Sequence, residues 1–98
     1  MVGDMAGDMA TRRSILIVDD DPGLVRTTSL ILEHEGYSVT TASSGPQAIA
    51  LTRDTAFDLT LLDIKMPDID GVETLRELKQ LRPTATVVMM TAYAVEQR

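Results

Sequence analysis

Three consecutive acids, Asp19, Asp20 and Asp21, follow directly on the apolar run Ile15 to Val18. A fourth, Asp63, closes the apolar stretch FDLTLLD, and a hydroxyl, Thr91, follows the run TVVMM. Like charges this close are costly: two carboxylates ~4 Å apart repel by roughly 4 kcal/mol at the effective dielectric of a protein surface. A divalent cation among them would offset that cost. Oxygen ligands without His or Cys select Mg²⁺, or Mn²⁺, over Zn²⁺. Mg²⁺ commonly works with one or two carboxylates and a phosphate, so phosphoryl chemistry is the natural use of such a pocket. The alternative for the acid run alone is a solvated strand end followed by a helix cap, and Asp21 suits the cap.

These residues act together only if the fold brings them together. SILIVDD reads as a buried strand, continuous in apolar residues and bounded by acids. Asp21-Pro22 starts a helix that runs to about Glu35 and stops at Gly36. YSVTTA is a β-branched strand, and Ser44, Gly45 and Pro46 open a second helix to about Arg53. FDLTLLD is the third strand and KMPDIDG a loop. Asp70 with Glu73 forms an acidic capping box, and Val72, Leu75, Leu78 and Leu81 are expected on one face of the third helix, which ends at Arg82-Pro83. TATVVMMTA is the fourth strand, and VEQR suits the start of a fourth helix. Strands alternating with helices at this spacing predict an α/β fold, a parallel sheet covered on both faces. Ligands in such sheets gather at the carboxyl ends of the strands. Asp19, Asp20, Asp63 and Thr91 all lie at such ends, and share one mouth if strands one, three and four are neighbours.

Ninety-eight residues allow one domain. A net charge of -6 offers no basic stripe for a nucleic acid. The chain has no cysteine, hence neither disulfides nor thiolate metal sites, which fits a reducing compartment such as the cytoplasm. No apolar run is long enough to span a membrane, and residues 1–13 read as a flexible lead with no signal-peptide pattern.

ILIVDDDPGLVR, LTLLDIKMPDIDGVETLRELK and VVMMTAYA, in this order and spacing, resemble the receiver domain of two-component response regulators. The resemblance covers residues 14 to 98. It implies a flavodoxin-like doubly wound sheet, and a phosphoryl group passed from a histidine kinase or histidine phosphotransfer domain onto Asp63. It also implies Mg²⁺ held by Asp20 directly, by Asp19 through water, by Asp63 and by the backbone carbonyl of Lys65. Thr91 matches the hydroxyl that bonds the new phosphate, with small Ala92 leaving room beside it. Pro67 and Gly71 look like loop-shaping residues. Lys65 and Tyr93 match positions bordering the path of hydrolytic water and are expected to slow loss of the phosphoryl group; otherwise they are rim residues.

A complete receiver has a fifth strand, ending in a Lys that pairs with the phosphate, and a fifth helix. The expectation here is an incomplete domain of four strands, truncated near the start of helix four. Such a form is expected to be impaired in phosphorylation and to self-associate through the exposed edge of its fourth strand. Its output domain is unknown. Two alternatives stand beside this reading. A haloacid-dehalogenase-like phosphohydrolase would use Asp19 and Asp21, though Gly23 fills the place of its Thr or Val. A pure protein-interaction domain would never carry phosphate. His34, the lone His, is expected to be an ordinary surface residue. Asp68, Asp70, Gly71 and Glu77 partly match a calcium loop, but Met66 takes its first ligand position.

Overall fold

The structure, a computed structural model, describes residues 12–63 and 71–90. The order is β1 (Ser14–Val18), α1 (Pro22–His34), β2 (Ser38–Ala42), α2 (Gly45–Asp54), β3 (Leu59–Asp63), α3 (Gly71–Leu81) and β4 (Val87–Met90). The strands form one parallel sheet in the order β2-β1-β3-β4. This is the doubly wound arrangement expected, with β1 at the centre. Leu16 and Val18 of β1 pack with Leu62, Ala42, Ala48 and Ile49 of neighbouring elements and Leu78 of α3, which places α2 and α3 on one face. Alternation along a strand turns Ile15 and Ile17 to the other face, where Ile15 lines a cavity with Leu32 of α1.

The helix boundaries follow the expected signals. The Asp21 side chain accepts from the Gly23 and Leu24 amides at 3.0 and 3.2 Å, with Pro22 in the first turn. At the other end Gly36 has φ 101°, the Gly36 amide donates to Glu33 and the Tyr37 amide to Leu32. This is a Schellman stop, which an L side chain would strain. Ser44 caps α2 by accepting from the Gln47 amide, and Gln47 Oε1 in turn accepts from the Ser43 amide at 2.7 Å. Arg82 closes the far end of α2, its guanidinium donating to the carbonyls of Thr52 and Arg53. The Asp70 end of the proposed capping box lies outside the described residues, as do the KMPDID loop, the VEQR segment and residues 1–11 of the lead.

α3 is turned away from the orientation expected of it. Gly71, Thr74 and Leu78 are its buried residues and Leu75 packs against the core, whereas Val72 is 57% and Leu81 36% exposed. A spacing of three repeated along a helix drifts by about 60° per step, so Val72 and Leu81 stand on opposite flanks of Leu75 and Leu78. The buried stripe has the spacing i, i+3, i+4, i+7 and includes a threonine. Thr74 is fully buried and its hydroxyl has no hydrogen-bond partner among the described residues. Replacing it with valine keeps the β-branched shape and removes an unmatched polar group. Thr74→Val is expected to raise stability by about 1 kcal/mol in urea unfolding; a loss would mean the hydroxyl is satisfied.

β3 starts at Leu59, later than the apolar stretch suggests, and Asp58 just before it is bonded across to β1. Its amide donates to the Ser14 carbonyl at 2.9 Å, and its Oδ2 accepts from the Ser14 amide at 2.7 Å and hydroxyl at 3.2 Å. The Ser14 amide is the main reason the Asp58 carboxyl titrates below its ordinary value of 3.8. A carboxyl lowered on folding adds stability above its unfolded pKa and loses it as pH falls through the folded value. Asp58→Asn is therefore expected to lower the thermal midpoint at neutral pH, with the difference from the parent closing below pH 3.8. An offset that persists unchanged into acid would contradict this.

Candidate functional site

The register explains how two strands meet at one point. Val18 of β1 pairs with Leu62 of β3, so Asp19 is level with Asp63 at the carboxyl ends. The Asp19 amide donates to the Ala42 carbonyl at 3.0 Å, which extends the strand path by one residue before the chain turns into α1. Asp20 sits in that turn. Carboxylate oxygens of Asp19, Asp20 and Asp63 all lie within 4.8 Å of one another. Asp19 is 4% exposed, Asp63 is half-buried and Asp20 is exposed.

The cluster is electrostatically tense. Each charged pair at this separation costs about 3.5 kcal/mol at an effective dielectric near 20. Burial pushes the Asp19 carboxyl above its ordinary value, and the Asp63 carboxylate, through charge and a hydrogen bond, pushes the same way, as does Asp20. The Asp21 amide works against them, donating to Asp19 Oδ1 at 3.0 Å. A buried acid pointed at two others is stable as a carboxylate only beside positive charge. The donor set is three oxygens from acids, with no imidazole or thiolate among them, and this fits a hard divalent ion.

The structure brings together Asp19, Asp20 and Asp63 of the residues expected to form the site. Lys65 and Thr91, with Pro67, Ala92 and Tyr93, lie outside the described residues. Asp21 is set apart, because its side chain is committed to capping α1. That removes a residue the haloacid-dehalogenase-like reading needs. Two residues next to the site escaped the sequence reading, Arg26 and Ser29, which line a cavity shared with Asp19 and Asp20. Their spacing from Pro22, one and two turns along α1, was the available signal.

The sequence profile of the response regulator receiver domain matches residues 15–98. The chain belongs to this family. The receiver domain is 44% identical over 80 residues to the transcriptional regulatory protein ZraR of Escherichia coli K12, an alignment covering 82% of this chain and 18% of ZraR. It thus spans less than a fifth of that relative. Among solved structures, a CheY-like receiver domain protein from Methanospirillum hungatei superimposes with a TM-score of 0.82 at 41% identity, covering 85% of this chain and 66% of that one. The response regulator TrrA of Thermotoga maritima, in complex with Mg²⁺-BeF, gives a TM-score of 0.80 at 34% identity, covering 87% and 74%. A structure of TrrA with the histidine kinase ThkA also matches, with a TM-score of 0.78 at 36% identity, covering 83% and 70%. These likenesses favour the receiver over both alternatives. A receiver is a signalling domain that accepts phosphate, not a turnover enzyme. Among the described residues no helix is long and apolar enough to cross a membrane.

Proposed function

We propose that residues 14–98 work as one receiver unit that takes a phosphoryl group onto Asp63, from the phosphohistidine of a sensor kinase or histidine phosphotransfer domain. The observation that carries this is the carboxylate trio, drawn from the ends of β1 and β3 to within 4.8 Å. A carboxylate oxygen of Asp63 attacks phosphorus; the new P–O bond forms as the P–N bond to histidine breaks. The imidazole leaves with the bonding pair and takes up a proton. Asp19, Asp20, Asp63 and the Lys65 carbonyl would hold Mg²⁺, with Mn²⁺ an acceptable substitute. The ion supplies positive charge where one anion approaches another. Buried Asp19, held by the Asp21 amide, fixes the floor of the pocket, and exposed Asp20 forms its rim. Thr91 would donate its hydroxyl to the phosphoryl oxygens and Ala92 would leave them room.

Support for the partner comes from TrrA, seen with the kinase ThkA. Relatives named as transcriptional regulators support a cytoplasmic setting and a separate output domain, whose identity this chain does not specify. β4 is one of the two edge strands among those described, the other being β2, and Val88 on it is 45% exposed, which supports self-association along the β4 edge. Hydrolysis of the acyl phosphate would be slow and self-catalysed, with Lys65 and Tyr93 shielding it. Lys65→Ala and Tyr93→Ala should each shed the phosphoryl group faster than the parent; unchanged or slower loss in both would reject the shielding role.

The test of the proposed function is intact mass after incubation with acetyl phosphate. With Mg²⁺ a single phosphoryl adduct is expected, and with EDTA none. Failure to gain an adduct with Mg²⁺, or an equal gain without it, would overturn the reading.

A further inference from the structure

Asp63 has a different kind of neighbour on each side. The β1–β3 register sets Asp19 level with it on one flank, and the β3–β4 register pairs it with Met90 on the other. Paired residues of a parallel sheet project from the same face, on strands about 4.8 Å apart. Alternation fixes which face. Leu62 belongs to the core under α2 and α3, and Val87 and Met89 pack against that core. Asp63, Val88 and Met90 therefore stand on the opposite face, that of α1. One row there crosses the carboxyl ends: Asp19, Asp63, Met90. The row beneath it is Ile17, Leu61 and Val88. Met90 is half-buried although β4 is an edge strand among those described, whereas Val88, one row below, is 45% exposed.

We propose that Met90 is a positioning residue for the ion pocket, an apolar backstop that holds the Asp63 carboxylate toward Asp19 and Asp20. Without an ion the three acids repel one another. Asp19 has no room to yield, because it is buried and its Oδ1 accepts from the Asp21 amide. Asp20 is already exposed at the rim. The remaining relief is for Asp63 to swing outward, over β4. Among the described residues Met90 stands in that direction. Its thioether carries no charge and donates no hydrogen bond, so a carboxylate turned onto it would lose water and gain no partner. Its unbranched chain adapts to fill the space beside Asp63. The trio is thereby kept together before the ion arrives, and the ion need not first gather its ligands. This role rests on the ion pocket proposed above and names the residue that shapes it.

The test is Mg²⁺ titration of the whole chain, read at the amides of Asp19 and Asp20. Met90→Ala empties the space beside Asp63 and should weaken Mg²⁺ about tenfold, the scale of losing a group that orients a metal ligand. Met90→Leu restores the apolar bulk and should bind Mg²⁺ as the parent does. Val88→Ala, on the same strand and face but one row away, should leave the affinity unchanged, which separates loss of the backstop from a general loosening of β4. In an Asp63→Asn background Met90→Ala should have no further effect, because the ligand it positions is gone. Adduct formation from acetyl phosphate should be slow in Met90→Ala at low Mg²⁺ and recover at saturating Mg²⁺. Parent-like Mg²⁺ affinity in Met90→Ala, or an equal loss in the Asp63→Asn background, would overturn the proposal and leave the ion pocket standing. Parent amides that ignore Mg²⁺ would overturn pocket and backstop together. A parent that binds Mg²⁺ but gains no adduct would overturn phosphoryl acceptance alone, with the backstop still decided by the Mg²⁺ affinities.

Discussion

Asp63→Asn should abolish the phosphoryl adduct, slowing its formation by at least about a thousandfold, the scale of losing a nucleophile. An amide oxygen carries no full negative charge and does not attack phosphorus, whatever donor is offered. The same substitution should make the fold more stable in the absence of divalent ions, by about 1 kcal/mol, because it removes one charge from a crowded trio. The amide can also donate to Asp19, whose carboxyl is the buried member of the cluster. Loss of chemistry with a gain of stability is a joint outcome that an unfolded variant cannot mimic. Intact mass with acetyl phosphate and Mg²⁺ reads the first effect, and a thermal melt in EDTA reads the second. An Asp63→Asn protein that still gains a phosphoryl group would move the acceptor elsewhere.

Leu16→Ala should cost about 3–4 kcal/mol, a large part of what holds a domain of this size together. Leu16 lies in the central strand, is fully buried, and packs in the cluster with Leu62, Ala48 and Leu78. Truncation leaves a cavity walled by ordered strands on both sides, which have little room to relax. Leu30→Ala is the control. Leu30 is 58% exposed on α1, so its loss should change stability by no more than about 0.5 kcal/mol. Urea midpoints of the two variants separate the cases, and equal shifts would mean the core lies elsewhere.

Much of this architecture could be read from local chemistry. The run Ile15 to Val18, the Asp21-Pro22 and Ser44-Gly45-Pro46 starts and the Gly36 stop each depend on neighbours in sequence, and each is where the signal put it. The face of α3 was misread because leucines at every third position suggest a stripe that helix geometry does not sustain. Thr52 and Thr74 are buried although their type favours neither fate, since the packing of α2 on α3 decides it. Within the site, Asp19 and Asp20 are chemically identical, and only the register of β1 on β3 makes the first a buried partner of Asp63 and the second a rim residue. That register needs strand adjacency, which no single segment encodes and which entered by family resemblance. The cleft at Arg26 and Ser29 also depends on where α1 lies over β2.

The central claim is that acids from two strands share one ion. Mn²⁺ can be titrated into isotopically labelled protein and the paramagnetic broadening of its amides followed. One saturable ion should broaden the amides of residues 19–21 and of Asp63 together, at the same midpoint, and excess Mg²⁺ should restore them. Broadening confined to residues 19–21, with Asp63 still sharp at saturation, would contradict it.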